Sequence, residues 1–242
     1  MTTRDRVTDF AHRHASDEPR DSNVQVAAAE VGQTLDYLGF AVEDVECARV
    51  DYISAKERCE AAIAAGGSDD GQERFEAQRR AYFLLQYRID TFFFFARVLL
   101  DDVVTLIDVG CAPSGMKIGS HSNIEKNLPQ LVAAKGVPIP PELSKTLEEL
   151  EGITHFRDKY VAHRSRLNPG ATRGLMMSSE SSEIGLGVGW MYPKGNEPLG
   201  MIQSGDPTKL HAVLLRYVDE VLDFIESVEA SAGRSRDSVR QS

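Results

Sequence analysis

The sequence predicts a mainly α protein: a four-helix bundle with two long antiparallel helices and a small β-like inserted flap. Three observations carry this. Apolar residues recur at three- and four-residue steps along two long stretches, residues 24–62 and 75–107, the period of an amphipathic helix. Only the turn Gly66-Gly67-Ser68-Asp69-Asp70-Gly71 separates them, and so short a connection makes long helices antiparallel neighbours. Near the C-terminal third, Ile184, Leu186, Val188, Trp190 and Tyr192 alternate with other residues, the period of a strand. At 242 residues with 42% hydrophobic and 26% charged side chains, the chain has ample material for a core and is expected to form one domain.

Residues 1–21 hold Arg4, Arg6, His12, Arg13, Glu18 and Arg20 with few apolar partners. They are expected to be a polar arm, mobile or only partly helical. The bundle is expected over 22–232. Its first helix spans about 23–65, with Asp21 or Ser22 as N-cap and Gly66-Gly67 as its end. The second spans about 72–109. Its middle, 92–100, is apolar almost all round, so it must bury more than one stripe, at the centre of a bundle or in a subunit interface. Residues 110–141 are rich in Pro and Gly and leave room for a short helix at 124–135. A third helix begins near Pro141, carries Leu143, Leu147, Leu150, Ile153, Phe156 and Tyr160, and fades after His163. The flap falls at about 167–205, with strands near 173–178, 184–192 and 199–203. Asp206-Pro207 caps and opens a last helix over 207–231, and 233–242 is a polar tail.

The formal net charge of −10, from 37 acidic and 27 basic side chains, argues against a protein that coats nucleic acid or an anionic membrane. Three cysteines, Cys47, Cys59 and Cys111, are too few and too scattered for a disulfide scaffold or a zinc site and suit a reducing compartment. No apolar leader opens the chain, and the run 92–100 is too short to span a bilayer. The expected location is the cytoplasm, with no membrane partner. No phosphate loop, HExxH, GxSxG or EF-hand loop occurs, so no metal and no cofactor is implied. Asp101 and Asp102 are adjacent and diverge, as do Glu148 and Glu149.

What remains is Phe156-Arg157-Asp158-Lys159-Tyr160-Val161-Ala162-His163-Arg164-Ser165-Arg166. Five residues separate Arg157 from His163, and a polar residue follows the arginine. This resembles the Arg-polar-x(3–5)-His motif of HEPN domains, helical bundles of prokaryotic defence and toxin–antitoxin systems. The wider form, Arg-Asp-Lys-x-x-Ala-His after a leucine-rich helix, is similar to the abortive-infection branch of that superfamily. Arg6 and His12 share the spacing, but Val7 follows the arginine and no core is expected beside them. The resemblance implies a metal-independent endoribonuclease that works as a homodimer, with an antitoxin or defence protein as a further partner.

The residues suit that chemistry. Six helical steps of about 100° leave Arg157 and His163 about 120° apart. They converge only through a distortion near His163 or across a two-fold axis, and the resemblance implies the second. His163 is fitted to general acid or base work at a ribose 2′-hydroxyl. Arg157 would hold the phosphate and its transition-state charge. Asp158 would orient either of them, and Lys159, Arg164 and Arg166 would draw the RNA backbone.

Structural accounts compete. In one, the four cations only oppose a helix macrodipole, with His163 as a capping or packing residue. HEPN-like domains also include non-catalytic dimeric binding modules for RNA or a partner protein, which is the alternative function. His121 and His155 are read as loop, surface or core-edge residues, Phe92–Phe95 as core, and Trp190 and Tyr192 as packing residues of the flap, with base stacking as their alternative role.

Overall fold

A computed structural model describes residues 1–15, 18–66, 71–111, 117–156, 171–177, 184–190, 200–203 and 205–240. The protein is mainly helical, and its two long helices pack together. In chain order it has α1 (Thr3–Arg13), α2 (Pro19–Ala64), α3 (Gly71–Gly110), a 3-10 turn (His121–Asn123), α4 (Ile124–Lys135), α5 (Pro141–Phe156), β1 (Ala171–Met177), β2 (Ile184–Trp190), β3 (Gly200–Gln203) and α6 (Pro207–Arg240).

The chain divides into two compact units. One holds Met1–Tyr37, Ala96–Glu151 and Ala212–Ser242; the other holds Leu38–Phe95 and Gly152–His211. The first unit is built on large side chains. Phe10, Leu99, Leu100, Leu106, Tyr217 and Phe224 are fully buried in it. Gly110 lets α3 and α6 approach closely, since a Cβ there would lie 2.9 Å from Ile225 Cγ2. Polar ties join its helices. Thr34 donates to Asp102 at 2.7 Å, Thr146 donates to Glu220 at 3.2 Å, and Arg216 meets Glu149 at 2.6 Å.

Residues 1–21, expected to be mobile or only partly helical, hold the helix Thr3–Arg13, which opens with a capping box: Asp5 N–H donates to Thr2 Oγ1 and Thr2 N–H to the Asp5 carboxylate. The backbone bond from Thr2 and then its hydroxyl hold the Asp5 pKa below its usual value. Val7, Phe10 and Ala11 are buried, one short apolar stripe at i, i+3 and i+4. The charges that made the segment look like an arm face acids on α6. Thr3 bonds Asp219 at 2.8 Å, Arg6 pairs with Asp219 at 3.1 Å and with Asp223, Arg13 pairs with Glu226, and His14 meets Glu229 at 2.9 Å.

In the second unit α2 reads as a heptad seam. Leu38, Ala41, Val45, Ala48, Tyr52, Ala55, Cys59 and Ala62 are all buried at alternating steps of three and four, as in a two-helix coiled coil. Alanine every seventh residue lets the backbones come close. Asp44 pairs with Arg88 at 2.7 Å, and the rings of Tyr52 and Tyr82 lie edge to face at 6.0 Å, which fixes the antiparallel register. Gly66 stops α2 at φ +91°, a conformation that favours glycine.

In the same unit β1, β2 and β3 form one antiparallel sheet in that order, with Leu175 opposite Leu186 and Val188 opposite both Arg173 and Ile202. Asp206 caps α6 by accepting from the N–H groups of Thr208 and Lys209 at 2.9 and 3.3 Å. That helix continues to Arg240, past the tail expected from residue 233. Gly233 costs a helix only about 1 kcal/mol, and no proline follows to stop it.

Candidate functional site

The residues singled out for catalysis, Arg157, Asp158 and His163, and for RNA binding, Lys159, Arg164 and Arg166, lie outside the described residues. The helix that leads to them does not. In α5 the side chains of Leu143, Leu147 and Leu150 are buried, and the helix runs to Phe156, the residue before Arg157.

The other Arg-x(5)-His pair, Arg6 and His12, lines a cleft of about 550 Å³ with Met1, Asp9, Arg13, Leu222 and Glu226. It is a poor phosphate grip. Burial works against the charged Arg6 guanidinium, but its bond to Asp223 and the field of Asp219 and Glu226 outweigh that and raise its pKa. Arg13 is likewise matched by Glu226, so both cations are already neutralised.

A polar cluster in the first unit was not read from the sequence. Arg97, the one charge in the apolar run 92–100, is buried and meets Asp101 one turn on at 3.3 Å. The backbone N–H of His121 also donates to Asp101 at 3.3 Å. The His121 ring stands edge-on to the buried Tyr217 ring at 5.8 Å. Burial first, and then Arg97, drives the His121 pKa down to about 4, so the ring is neutral at pH 7. Burial and the Asp101 charge push the Tyr217 phenol up. Arg97 Nη1 and Tyr217 Oη are buried with no hydrogen-bond partner among the described residues. The signal available in the sequence was Arg97 itself, an arginine with an aspartate at i+4 inside an apolar stretch.

The chain segment that delivers His121 is clamped at both sides. Asp108 accepts from the N–H groups of Ile118 and Gly119 at 2.7 and 3.0 Å, and the Asn127 amide donates to the carbonyls of Lys117 and Ile118 at 3.4 and 3.3 Å. Asp101 and Asp102 take different partners, Arg97 and Thr34. Burial leads the rise of the Asp102 pKa, against the Thr34 bond and with the fields of Glu30 and Asp101. Among the described residues no three His, Cys, Asp or Glu side chains gather as a metal would require, and no helix is long and apolar enough to cross a membrane.

No family model, curated protein or solved structure matches the chain. The likeness to HEPN domains therefore rests on the sequence motif at 157–163 alone.

Proposed function

We propose that the chain is a metal-independent endoribonuclease of a prokaryotic defence or toxin–antitoxin system, a cytoplasmic homodimer with a composite Arg/His site. In this reading the helices form a four-helix bundle, and β1–β3 are its inserted flap. The observation that carries it is the segment Arg157-Asp158-Lys159-x-x-Ala162-His163 directly following the leucine-ridged α5. His163 takes the proton of a ribose 2′-hydroxyl. The oxygen attacks the adjacent phosphorus, the bond to the 5′-oxygen breaks as that oxygen takes a proton from an imidazolium of the composite site, and a 2′,3′-cyclic phosphate and a 5′-hydroxyl end result. Arg157 binds the phosphoryl oxygens and stabilises the pentacoordinate charge. Asp158 orients the pair, and Lys159, Arg164 and Arg166 bind flanking phosphates. An antitoxin or defence protein is the expected regulator.

The test is cleavage of RNA in the presence of a chelator by wild type, Arg157→Ala and His163→Ala. Loss of about 10²–10⁴-fold in rate in each variant is expected, together with resistance of a substrate carrying 2′-deoxyribose at the scissile position. Equal cleavage by all three, or none by any, removes the catalytic assignment. Retarded RNA or a captured partner without turnover would instead select the non-catalytic binding module.

A further inference from the structure

Three polar atoms inside the first unit are left unmet by its packing. Arg97 Nη1 on α3, and Tyr217 Oη and Glu220 Oε2 on α6, are buried with no hydrogen-bond partner among the described residues. They belong to one neighbourhood. Tyr217 and Glu220 stand three residues apart on α6, so they share a side of that helix. The His121 ring lies 5.8 Å from the Tyr217 ring and within the field of Arg97. Tyr217 in turn feels Asp101, which pairs with Arg97 at 3.3 Å. Arg97 is 8% exposed and Tyr217 0%, so neither turns to bulk solvent, and an unpaired polar group in such a place is costly.

We propose that Arg97, Tyr217 and Glu220 hold internal water, one or two molecules that tie α3 to α6. The chemistry of the three atoms selects this occupant. A guanidinium nitrogen only donates, a carboxylate oxygen only accepts, and a phenol does either. Water serves all three: it accepts from Arg97, donates to Glu220 and takes the remaining sense toward Tyr217, which makes the three bonds usual for a buried water. An anion would be repelled by the Glu220 carboxylate and a cation by the guanidinium. Charge agrees. Asp101 balances Arg97, and Arg216 stands 3.7 Å from Glu220, so a charged guest would lie unpaired in the interior.

The other polar groups here are taken. Glu220 Oε1 accepts from Thr146 at 3.2 Å, Arg216 donates to Thr146 Oγ1 at 3.2 Å and to Glu149 at 2.6 Å, and the His121 backbone N–H donates to Asp101. Water at the proposed place joins two fixed groups, Arg97–Asp101–His121 and Thr146–Glu220–Arg216, into one network from α3 through α6 to α5. It stands apart from the nuclease reading and uses none of its residues.

A crystal structure of the full chain that resolves ordered water tests the site directly. A water within about 3.2 Å of Arg97 Nη1 is expected, bonded itself or through a second water to Tyr217 Oη and Glu220 Oε2. Tyr217→Phe supplies a sign. With water present, the substitution removes one of its bonds and should raise the unfolding equilibrium constant roughly threefold to tenfold. With a dry Oη, it removes a buried unsatisfied hydroxyl and should lower that constant. In a double-mutant cycle, Arg97→Met and Tyr217→Phe should couple by roughly threefold or more, since both act on the same water. Circular dichroism reports folding, and should Arg97→Met fail to fold, Tyr217→Phe alone carries this arm. Four results would each overturn the inference: no ordered water at Arg97 Nη1, a protein atom or a halide (seen by the anomalous signal of bromide) in its place, a Tyr217→Phe chain as stable as wild type or more so, or a cycle without coupling.

Discussion

The two units use the same two long helices and bury them differently. In the first, α3 between Ala96 and Ile107 is buried on several sides, with Leu99, Leu100, Val103, Val104, Leu106 and Ile107 at 1% exposure or less. In the second, α2 buries a single seam whose every second member is alanine, and α3 leaves Phe75, Phe83, Leu84, Tyr87 and Phe94 open. Among the described residues, the number of buried stripes marks the difference. A helix surrounded by others buries several stripes, whereas one matched to a single neighbour buries only its a/d positions. Hydrophobic content alone therefore does not locate a core: within the same aromatic stretch of α3, Phe92 and Phe93 are buried while Phe83, Tyr87 and Phe94 are half-exposed.

The largest expected effect lies in the large-residue core. Phe224 is 0% exposed, and Phe224→Ala should cost about 3–5 kcal/mol by transfer and cavity terms together. Phe83→Ala, at 53% exposure, should change monomer stability by about 0.5 kcal/mol or less. Urea unfolding of both variants at a concentration that keeps the chain monomeric compares the two units directly. Equal losses would mean that Phe83 is as buried in solution as Phe224.

Acid should strike the first unit next. The His121 pKa is about 4 in the fold against an ordinary 6.5. Between those values the unfolded chain binds the proton and the folded chain does not, so stability rises with pH across that window. The contribution is complete above about pH 6.5 and falls away toward pH 4, a loss of about 3 kcal/mol. His211, whose pKa burial also lowers, acts in the same direction in the second unit, while the raised Asp102 opposes it at lower pH. In His121→Gln the pH slope of the unfolding free energy should flatten, and adding His211→Gln should flatten it further by less. An unchanged slope in His121→Gln would place that imidazole in water.

The alanine seam should punish added bulk. Ala48 is 4% exposed, and Ala48→Leu must spread two close helices, at about 1–3 kcal/mol. Ala61, exposed on the same helix, should accept leucine with a change of about 0.5 kcal/mol or less. Thermal unfolding of the two variants checks this. A tolerated Ala48→Leu would mean that the seam is loose.

What could be read from the sequence follows the same division. The long helices were legible because each has one continuous apolar stripe, and so were the end at Gly66 and the cap at Asp206, where a single residue type does the job. The helix Thr3–Arg13 was not, because only Val7, Phe10 and Ala11 mark its buried side amid a dense set of charges. The pattern Thr2-x-x-Asp5 was the sign that it starts a helix. The cluster of Arg97, Asp101, His121 and Tyr217 joins three segments distant in the chain, so no local period could announce it. The motif at 157–163 was legible as spacing and residue type, but whether Arg157 and His163 converge depends on tertiary placement, which spacing does not encode.

The smallest effect separates two arginines of α3 that look alike on paper. Arg88 meets Asp44 at 2.7 Å, with side chains 35% and 49% exposed. Arg97 meets Asp101 at the longer distance of 3.3 Å, with its own side chain only 10% exposed. Distance alone would rank Arg88 first. Burial reverses the order, because water screens the Arg88 pair, while Arg97 also fills space in a packed interior with its methylene stem. Arg97→Ala should therefore cost about 1–3 kcal/mol, the range for a buried polar group whose partner retains some water. Arg88→Ala should cost about 0–1 kcal/mol, and a double-mutant cycle with Asp44→Ala should give a coupling that shrinks as salt is added. A salt-resistant coupling above about 2 kcal/mol would mean that the Asp44–Arg88 pair is shielded from water.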